Sequence, residues 1–172
     1  MQTAALIVGL FAVALYLLGY LMRRRMAIIT LNATSRTLYV VQYILLGAFE
    51  GAALDICGIL SSLLAAQKHR PRIRKYALWI LIFVDALIVF VGLLLYQNVY
   101  SLLPIIGVLL HTSAFWIENE KIIRLVSLLG CPFWFIYNVV SGAYGSCIGD
   151  ALSALSLVIS IVRYDLLGKN KA

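Results

Sequence analysis

The chain has 172 residues, 63% hydrophobic and 12% charged, with a net charge of +7 and a mean hydropathy of +0.99. Ordinary soluble domains carry about 25% charged residues. This composition therefore excludes disorder, a secreted disulfide scaffold and a water-soluble domain, and about seven spans of about 20 residues fit the length.

The first predicted span is Thr3 to Met22. Positive charge follows it, at Arg23 to Arg25, where a signal peptide would have it in front. The second span, Met26 to Leu46, is the most polar and carries Asn32, Ser35 and Arg36. The third runs from Gly51 to Gln67. A basic stretch follows, with Lys68, Arg70, Arg72, Arg74 and Lys75. It reads as a cytoplasmic loop, with anionic headgroups as a secondary reading. The fourth span is Tyr76 to Tyr96, the fifth Ser101 to Ile117, the sixth Ile122 to Val140 and the seventh Gly145 to Arg163.

Orientation tests the polar second span. With seven spans, the loops after the first, third and fifth and the C-terminus, counted with the adjoining span ends at Arg124 and Arg163, hold 13 of the 14 Lys and Arg residues. The other is Arg36, inside the second span. The loops near Glu50, Asn98 and Gly142 hold none. Without the second span the stretch Lys68 to Lys75 would lie outside. The positive-inside bias therefore predicts seven spans, N-terminus outside and C-terminus cytoplasmic. The positive charge follows this topology and is no nucleic-acid signal. Cys57, Cys131 and Cys147 fall within apolar runs, as small packing residues do, and no zinc-type spacing occurs.

A shift of 95 residues places Gly47-Ala48-Phe49 on Gly142-Ala143-Tyr144, Asp55 on Asp150 and Ser61 on Ser156. It also places Tyr39 on Trp134, Tyr43 on Asn138 and the turn Arg23 to Arg25 on Glu118 to Glu120. Spans one to three thus repeat as five to seven. A direct copy of three spans would invert, and the single fourth span restores the orientation. The predicted organisation is a first triple-helix repeat over residues 1–67 and a basic loop with a linker helix over 68–97. A second repeat with a short C-terminal tail covers 98–172. Parallel repeats are one plan of secondary transporters, with the substrate site near mid-membrane between them.

Polar residues within spans usually face a bundle interior or a cavity. Asn32, Ser35, Arg36, Tyr39 and Tyr43 share one face of the second span. Gly51, Asp55, Gly58 and Ser62 mark the third. Ser127, Cys131, Trp134 and Asn138 mark the sixth, and Ser146, Gly149, Asp150, Ser153 and Ser156 the seventh. For Ser and Gly, interhelical packing and hydrogen bonding is the stronger reading. Trp134 lies mid-span, away from the interfacial belt where Trp is usual, and serves either to stack on a ligand ring or to pack. Arg36 has two rival partners: Asp55, toward which its long side chain can reach up, and Asp85, which lies nearer its own depth, and the choice between them stays open. His111 reads as a packed residue against the sixth span or as a proton relay. No metalloprotease, nucleophile-elbow or phosphate-loop motif occurs, so the sequence predicts no enzyme, no metal site and no cofactor.

The stretch Cys131-Pro-Phe-Trp-Phe-Ile-Tyr-Asn138, followed by Ser141-Gly-Ala-Tyr144 and a polar last helix, resembles the YgjV family. These are small bacterial inner-membrane proteins, grouped with the SWEET, semiSWEET and PQ-loop transporters of the MtN3 superfamily. The 3+1+3 plan is similar to the SWEET plan. In the half-size sugar transporters a Trp on the second helix of the unit and an Asn on the third line the sugar site. The resemblance implies that Trp134 matches that Trp and that Asp150 occupies the place of the Asn. Tyr39 and Asp55 are the counterparts in the first repeat. Two acids facing one cavity suit a cation or a proton-coupled solute, or hold a shared proton. Pro104 and Pro132 match the family's helix-bending prolines, whereas Gly9 and Thr37 stand at the corresponding places of the first repeat. The Pro-Gln dipeptide of the PQ-loop branch is absent, which points away from a lysosomal-type amino-acid exporter.

The sequence thus predicts an all-α, seven-helix, SWEET-like membrane protein of two parallel three-helix repeats joined by a linker helix, multi-pass in the bacterial inner membrane. The expected function is movement of a small polar solute, a sugar among the candidates, by alternating access. The alternative is a non-transporting scaffold or accessory protein. The expected cavity-lining residues are Trp134, Asn138, Asp150, Tyr39, Asp55 and Arg36. The expected partners are a small-molecule solute and the lipid bilayer, with no nucleic acid, and the sequence is compatible with a homo-oligomer.

Overall fold

The computed structural model describes residues 2–21, 25–68, 70–117 and 119–166, without the side chains of residues 19–30, 32 and 120. The basic turn at Arg23 and Arg24, the side chains of Arg25 and Asn32, Glu118, the side chain of Glu120 and the tail beyond 166 lie outside the described residues. All regular elements among the described residues are helical. They are α1 (Gln2–Leu21), α2 (Arg25–Leu46), α3 (Phe49–Ala66), α4 (Pro71–Lys75), α5 (Ala77–Leu94), α6 (Leu102–Trp116), α7 (Glu120–Val140) and α8 (Tyr144–Ser160). A 3-10 turn at Val99–Ser101 precedes α6, and a π-turn at Ile161–Leu166 extends α8.

Each of the seven apolar runs forms one helix. In lipid a segment must satisfy its own backbone hydrogen bonds, so an apolar run of this length has little alternative to a helix. Among the described residues five stretches are long and apolar enough to cross a membrane: Phe49–Ala66, Ala77–Leu94, Val99–Trp116, Lys121–Val140 and Tyr144–Leu166. The short α4 is an addition inside the basic segment. Pro71 stands in its first turn, where a missing N–H costs nothing. The sequence also placed Glu50 beside an external loop. It lies instead in the first turn of α3, 6% exposed. Its carboxylate accepts hydrogen bonds from Ser101 Oγ and Gln97 Nε2, each at 3.3 Å.

The helices pack in a closed ring. α1 rests on α2 and α8, α2 on α3, α3 on α6, α6 on α7, and α7 on α8. α5 stands outside the ring, against α3 and α6. Only Val84, Ile88 and Gly92 of α5 are buried, and side chains such as Trp79 and Phe83 face outward. In lipid such apolar faces gain little from burial, so packing rests on close approach and interhelical hydrogen bonds. Gly107 shows the first: a Cβ there would meet the Trp134 ring at 2.6 Å. Ser35 shows the second, with Oγ donating to the Ala12 carbonyl at 2.7 Å.

The turns after α2 and α7 share one geometry. Gly47 has φ 75° and Gly142 φ 69°, the left-handed conformation that favours glycine. The Gly47 N–H donates to the Ile44 carbonyl at 3.1 Å, and the Ala48 N–H to the Tyr43 carbonyl at 2.9 Å. Gly142 donates to Val139 at 3.2 Å and Ala143 to Asn138 at 2.8 Å. Both are Schellman caps, in which a left-handed residue lets two N–H groups satisfy the orphan carbonyls of a helix end. Positions 95 apart make the same bonds.

Candidate functional site

The ring encloses a cavity of about 340 Å³. Its lining comes from α1, α2, α3, α6, α7 and α8. Arg36, Tyr39, Asp55, Trp134, Asn138 and Asp150, the six residues singled out in the sequence, all line it. The structure adds Tyr16, Tyr43, His111, Phe115, Ser127, Cys131, Ser146 and Ser153, among others. Tyr16 sits in an otherwise apolar helix and gave no polar signal. Its counterpart at the 95-residue shift is His111, which also lines the cavity.

The two acids have different partners. Arg36 Nη1 donates to Asp55 Oδ1 at 3.1 Å, and the two side chains are 18% and 9% exposed. The choice left open between Asp55 and Asp85 therefore falls to Asp55, one helix away. Asp85 instead accepts from Thr112 Oγ1 at 3.5 Å and Ser113 Oγ at 3.4 Å, both on α6. Asp150 has no guanidinium partner among the described ion pairs. Its Oδ2 accepts from Asn138 Nδ2 at 2.6 Å. Asn138 Oδ1 in turn accepts from Tyr43 Oη at 2.7 Å. The carboxylate can only accept, so it fixes which end of the Asn138 amide faces it.

Aromatic rings form the wall beside these groups. Trp134 stacks on Tyr43 with centroids 6.2 Å apart and planes 25° apart, and meets Tyr137 edge-on at 6.2 Å and 80°. Both placements suit the quadrupoles of the rings. Trp134 thus packs against neighbours and lines the cavity at once. His111 resembles a packed residue in one respect: its Nε2 lies 3.0 Å from the Ser127 carbonyl, and its ring covers Gly130. It borders the cavity as well.

At the end carrying the Gly47 and Gly142 turns, the ring is closed by contacts between its two halves. Tyr137 Oη accepts from the Gly51 N–H at 3.0 Å, and Ser146 Oγ donates to Gln42 Oε1 at 2.9 Å. These two pairs exchange under the 95-residue shift, and the Tyr43–Asn138 pair maps onto itself. α1 and α8 touch through glycines, since a Cβ on Gly145 would lie 2.6 Å from the Gly9 Cα. The cavity runs from this layer toward the other end, reaching Phe115, Ile123 and Leu157. Asp150 and Leu157 are about 10 Å apart along α8 at 1.5 Å per residue. Near that end Arg124 donates to both oxygens of Asp165, at 3.0 and 2.7 Å, which ties α7 to the π-turn after α8. Nothing in the sequence marks this pair, because its partners lie 41 residues apart.

The arrangement offers a small polar solute two carboxylates, one guanidinium, an amide and aromatic faces within one enclosure. Pockets of about 300–1,000 Å³ hold small ligands, and this cavity sits at the lower end of that range. Comparison with known proteins agrees with the YgjV part of the motif reading. A model of the Imp-YgjV family, described as bacterial inner membrane protein, matches residues 3–167. The inner membrane protein YgjV of Escherichia coli strain K12 is 25% identical over 124 residues, which is 72% of this chain. The chain spans about two thirds of that relative, 64% of its length. No solved structure matches. The chain belongs to the YgjV family of bacterial inner membrane proteins.

Proposed function

We propose that the chain is a seven-span transporter of SWEET-like 3+1+3 plan, with its N-terminus outside, that moves a small polar solute by alternating access. The observation that carries this reading is the cavity itself. Six helices enclose about 340 Å³ lined by Arg36, Asp55, Asn138 and Asp150, and one end is closed by contacts between the halves. Ionisable groups in a membrane interior are costly and usually mark a solute or ion path. A site bounded by two parallel three-helix units is where transporters built from such repeats bind their substrates. In this reading residues 1–67 and 98–172 rock about the layer of Tyr43, Asn138, Gln42 and Ser146, with α5 as the linker that restores orientation. Trp134 and Tyr39 supply ring faces, and Asp150, Asp55, Arg36 and Asn138 supply polar contacts.

Uptake into proteoliposomes of a panel of sugars and small cationic solutes tests this proposal. Asp150→Asn and Asp55→Asn are expected to change uptake of any transported solute, with helical circular dichroism as the check that each variant, Asp55→Asn above all, still folds. Unchanged uptake in both variants would remove these residues from the site. A competing reading, a non-transporting membrane scaffold, draws on the mutual pairing of Arg36 with Asp55 and of Tyr43, Asn138 and Asp150 in one chain. Static interhelical bonding of this kind needs no solute. It predicts a dry interior.

A further inference from the structure

A second cavity, of about 540 Å³, lies outside the ring in the angle between α3 and α5. α3 contributes Leu60, Leu64 and Gln67, and α5 contributes Trp79, Ile80 and Phe83. The lining is apolar apart from the Gln67 amide. It runs along α3 from Cys57 to Gln67, about 15 Å at 1.5 Å per residue, which is about half the hydrocarbon thickness and so one leaflet. Its Gln67 end adjoins the segment that carries α4. Arg70, Arg72, Arg74 and Lys75 are all exposed there. No Asp or Glu occurs from residue 56 to residue 84, so the segment itself carries cations without acids. Tyr76 and Trp79 are 52% and 70% exposed at the same end, the aromatic pattern of a headgroup layer.

We propose that this groove holds an acyl chain of one anionic phospholipid, with its phosphate and headgroup against Arg70, Arg72, Arg74 and Lys75. The groove accounts for the chain and the exposed cations for the sign of the headgroup. A zwitterionic lipid brings its own ammonium group into the same cluster and loses that attraction. The cations are set to act together. Arg70 caps α4 and its carbonyl accepts from the Arg74 N–H at 2.9 Å, so α4 and its cap carry all four cations. Such a lipid would brace α5 against α3 from outside the ring. The assignment rests on no reading of the central cavity.

Native mass spectrometry of the purified full chain tests the proposal, with phosphatidylglycerol and phosphatidylcholine of matched acyl chains as probes. The expected result is preferential retention of one phosphatidylglycerol. Each cation near a headgroup layer is worth about fivefold in affinity, so Arg70→Gln/Arg72→Gln/Arg74→Gln is expected to lose about a hundredfold of that preference. Leu60→Trp, at a groove residue 54% exposed, narrows the groove and is expected to reduce retention with every charge in place. All four positions are exposed, and circular dichroism checks that the variants fold. Equal retention of the two lipids overturns the proposal. Loss in the triple variant with full retention in Leu60→Trp assigns the lipid to the basic surface alone and overturns the groove.

Discussion

Replacing Arg36 by Met removes one partner of a largely enclosed ion pair. The Nη1–Oδ1 distance is 3.1 Å, and the side chains are 18% and 9% exposed, so water can reach Asp55 only from the cavity side. Breaking such a pair on one side costs about 3–5 kcal/mol, because a buried charge is left uncompensated. Removing the second charge as well costs far less, since apolar or neutral groups of similar size replace a buried pair nearly neutrally. Arg36→Met is therefore expected to lose about 3–5 kcal/mol, and Arg36→Met/Asp55→Asn to recover most of it. Arg36→Met/Asp85→Asn is expected to recover nothing, because Asp85 bonds Thr112 and Ser113 instead. Unfolding in mixed micelles of SDS and a mild detergent, followed by circular dichroism, gives the three values. A cost for Arg36→Met below about 0.5 kcal/mol, the size of an ordinary surface change, or an equal rescue by Asp85→Asn, refutes the pairing.

Further outcomes follow from the backbone. Gly47→Ala and Gly142→Ala both force a side chain into the left-handed region, at about 1–2 kcal/mol each. Their measured costs are expected to agree within about 0.5 kcal/mol, and a large disparity contradicts the shared cap geometry. Gly145→Ala sets a Cβ 2.6 Å from the Gly9 Cα, and backbone cannot swing aside as a flexible side-chain end can. Overpacking of this kind costs about 1–3 kcal/mol in the same unfolding assay, and a neutral result would show that α1 and α8 do not meet there.

How much was legible in the sequence depended on the physics of each feature. The helices over the apolar runs were, because such runs in lipid have one regular solution, whereas the short α4 was not. The turns were partly so: Gly47 and Gly142 stand 95 residues apart, and a left-handed cap favours glycine at both. Arg36, Tyr39, Trp134 and Asp150 pointed to an interior because polar and mid-span aromatic side chains stand out against an apolar background. Their mutual pairing was not legible. Asp55 and Asp85 were both within reach of a long Arg side chain, and only the placement of α5 outside the ring removes Asp85. Tyr16 was hidden for the opposite reason, since a Tyr in an otherwise apolar span looks like packing. Glu50 served in the sequence only to mark a loop, and its meeting with Gln97 and Ser101 inside the fold was not legible because they lie 47 and 51 residues away. The groove between α3 and α5 left no mark in the sequence, because its residues are ordinary apolar ones whose meeting depends on how two helices cross.

The central claim is a wet cavity within the ring, reached from one face of the membrane at a time. Single cysteines at Ser127, Ser146 and Ser153, introduced after replacing Cys57, Cys131 and Cys147, measure this directly in oriented vesicles with a membrane-impermeant thiol reagent. The account predicts that Ser127→Cys and Ser153→Cys react from the cytoplasmic face alone, and that Ser146→Cys, in the closed layer, reacts far more slowly. Absence of reaction at all three positions from both faces would mean a dry interior and would contradict it.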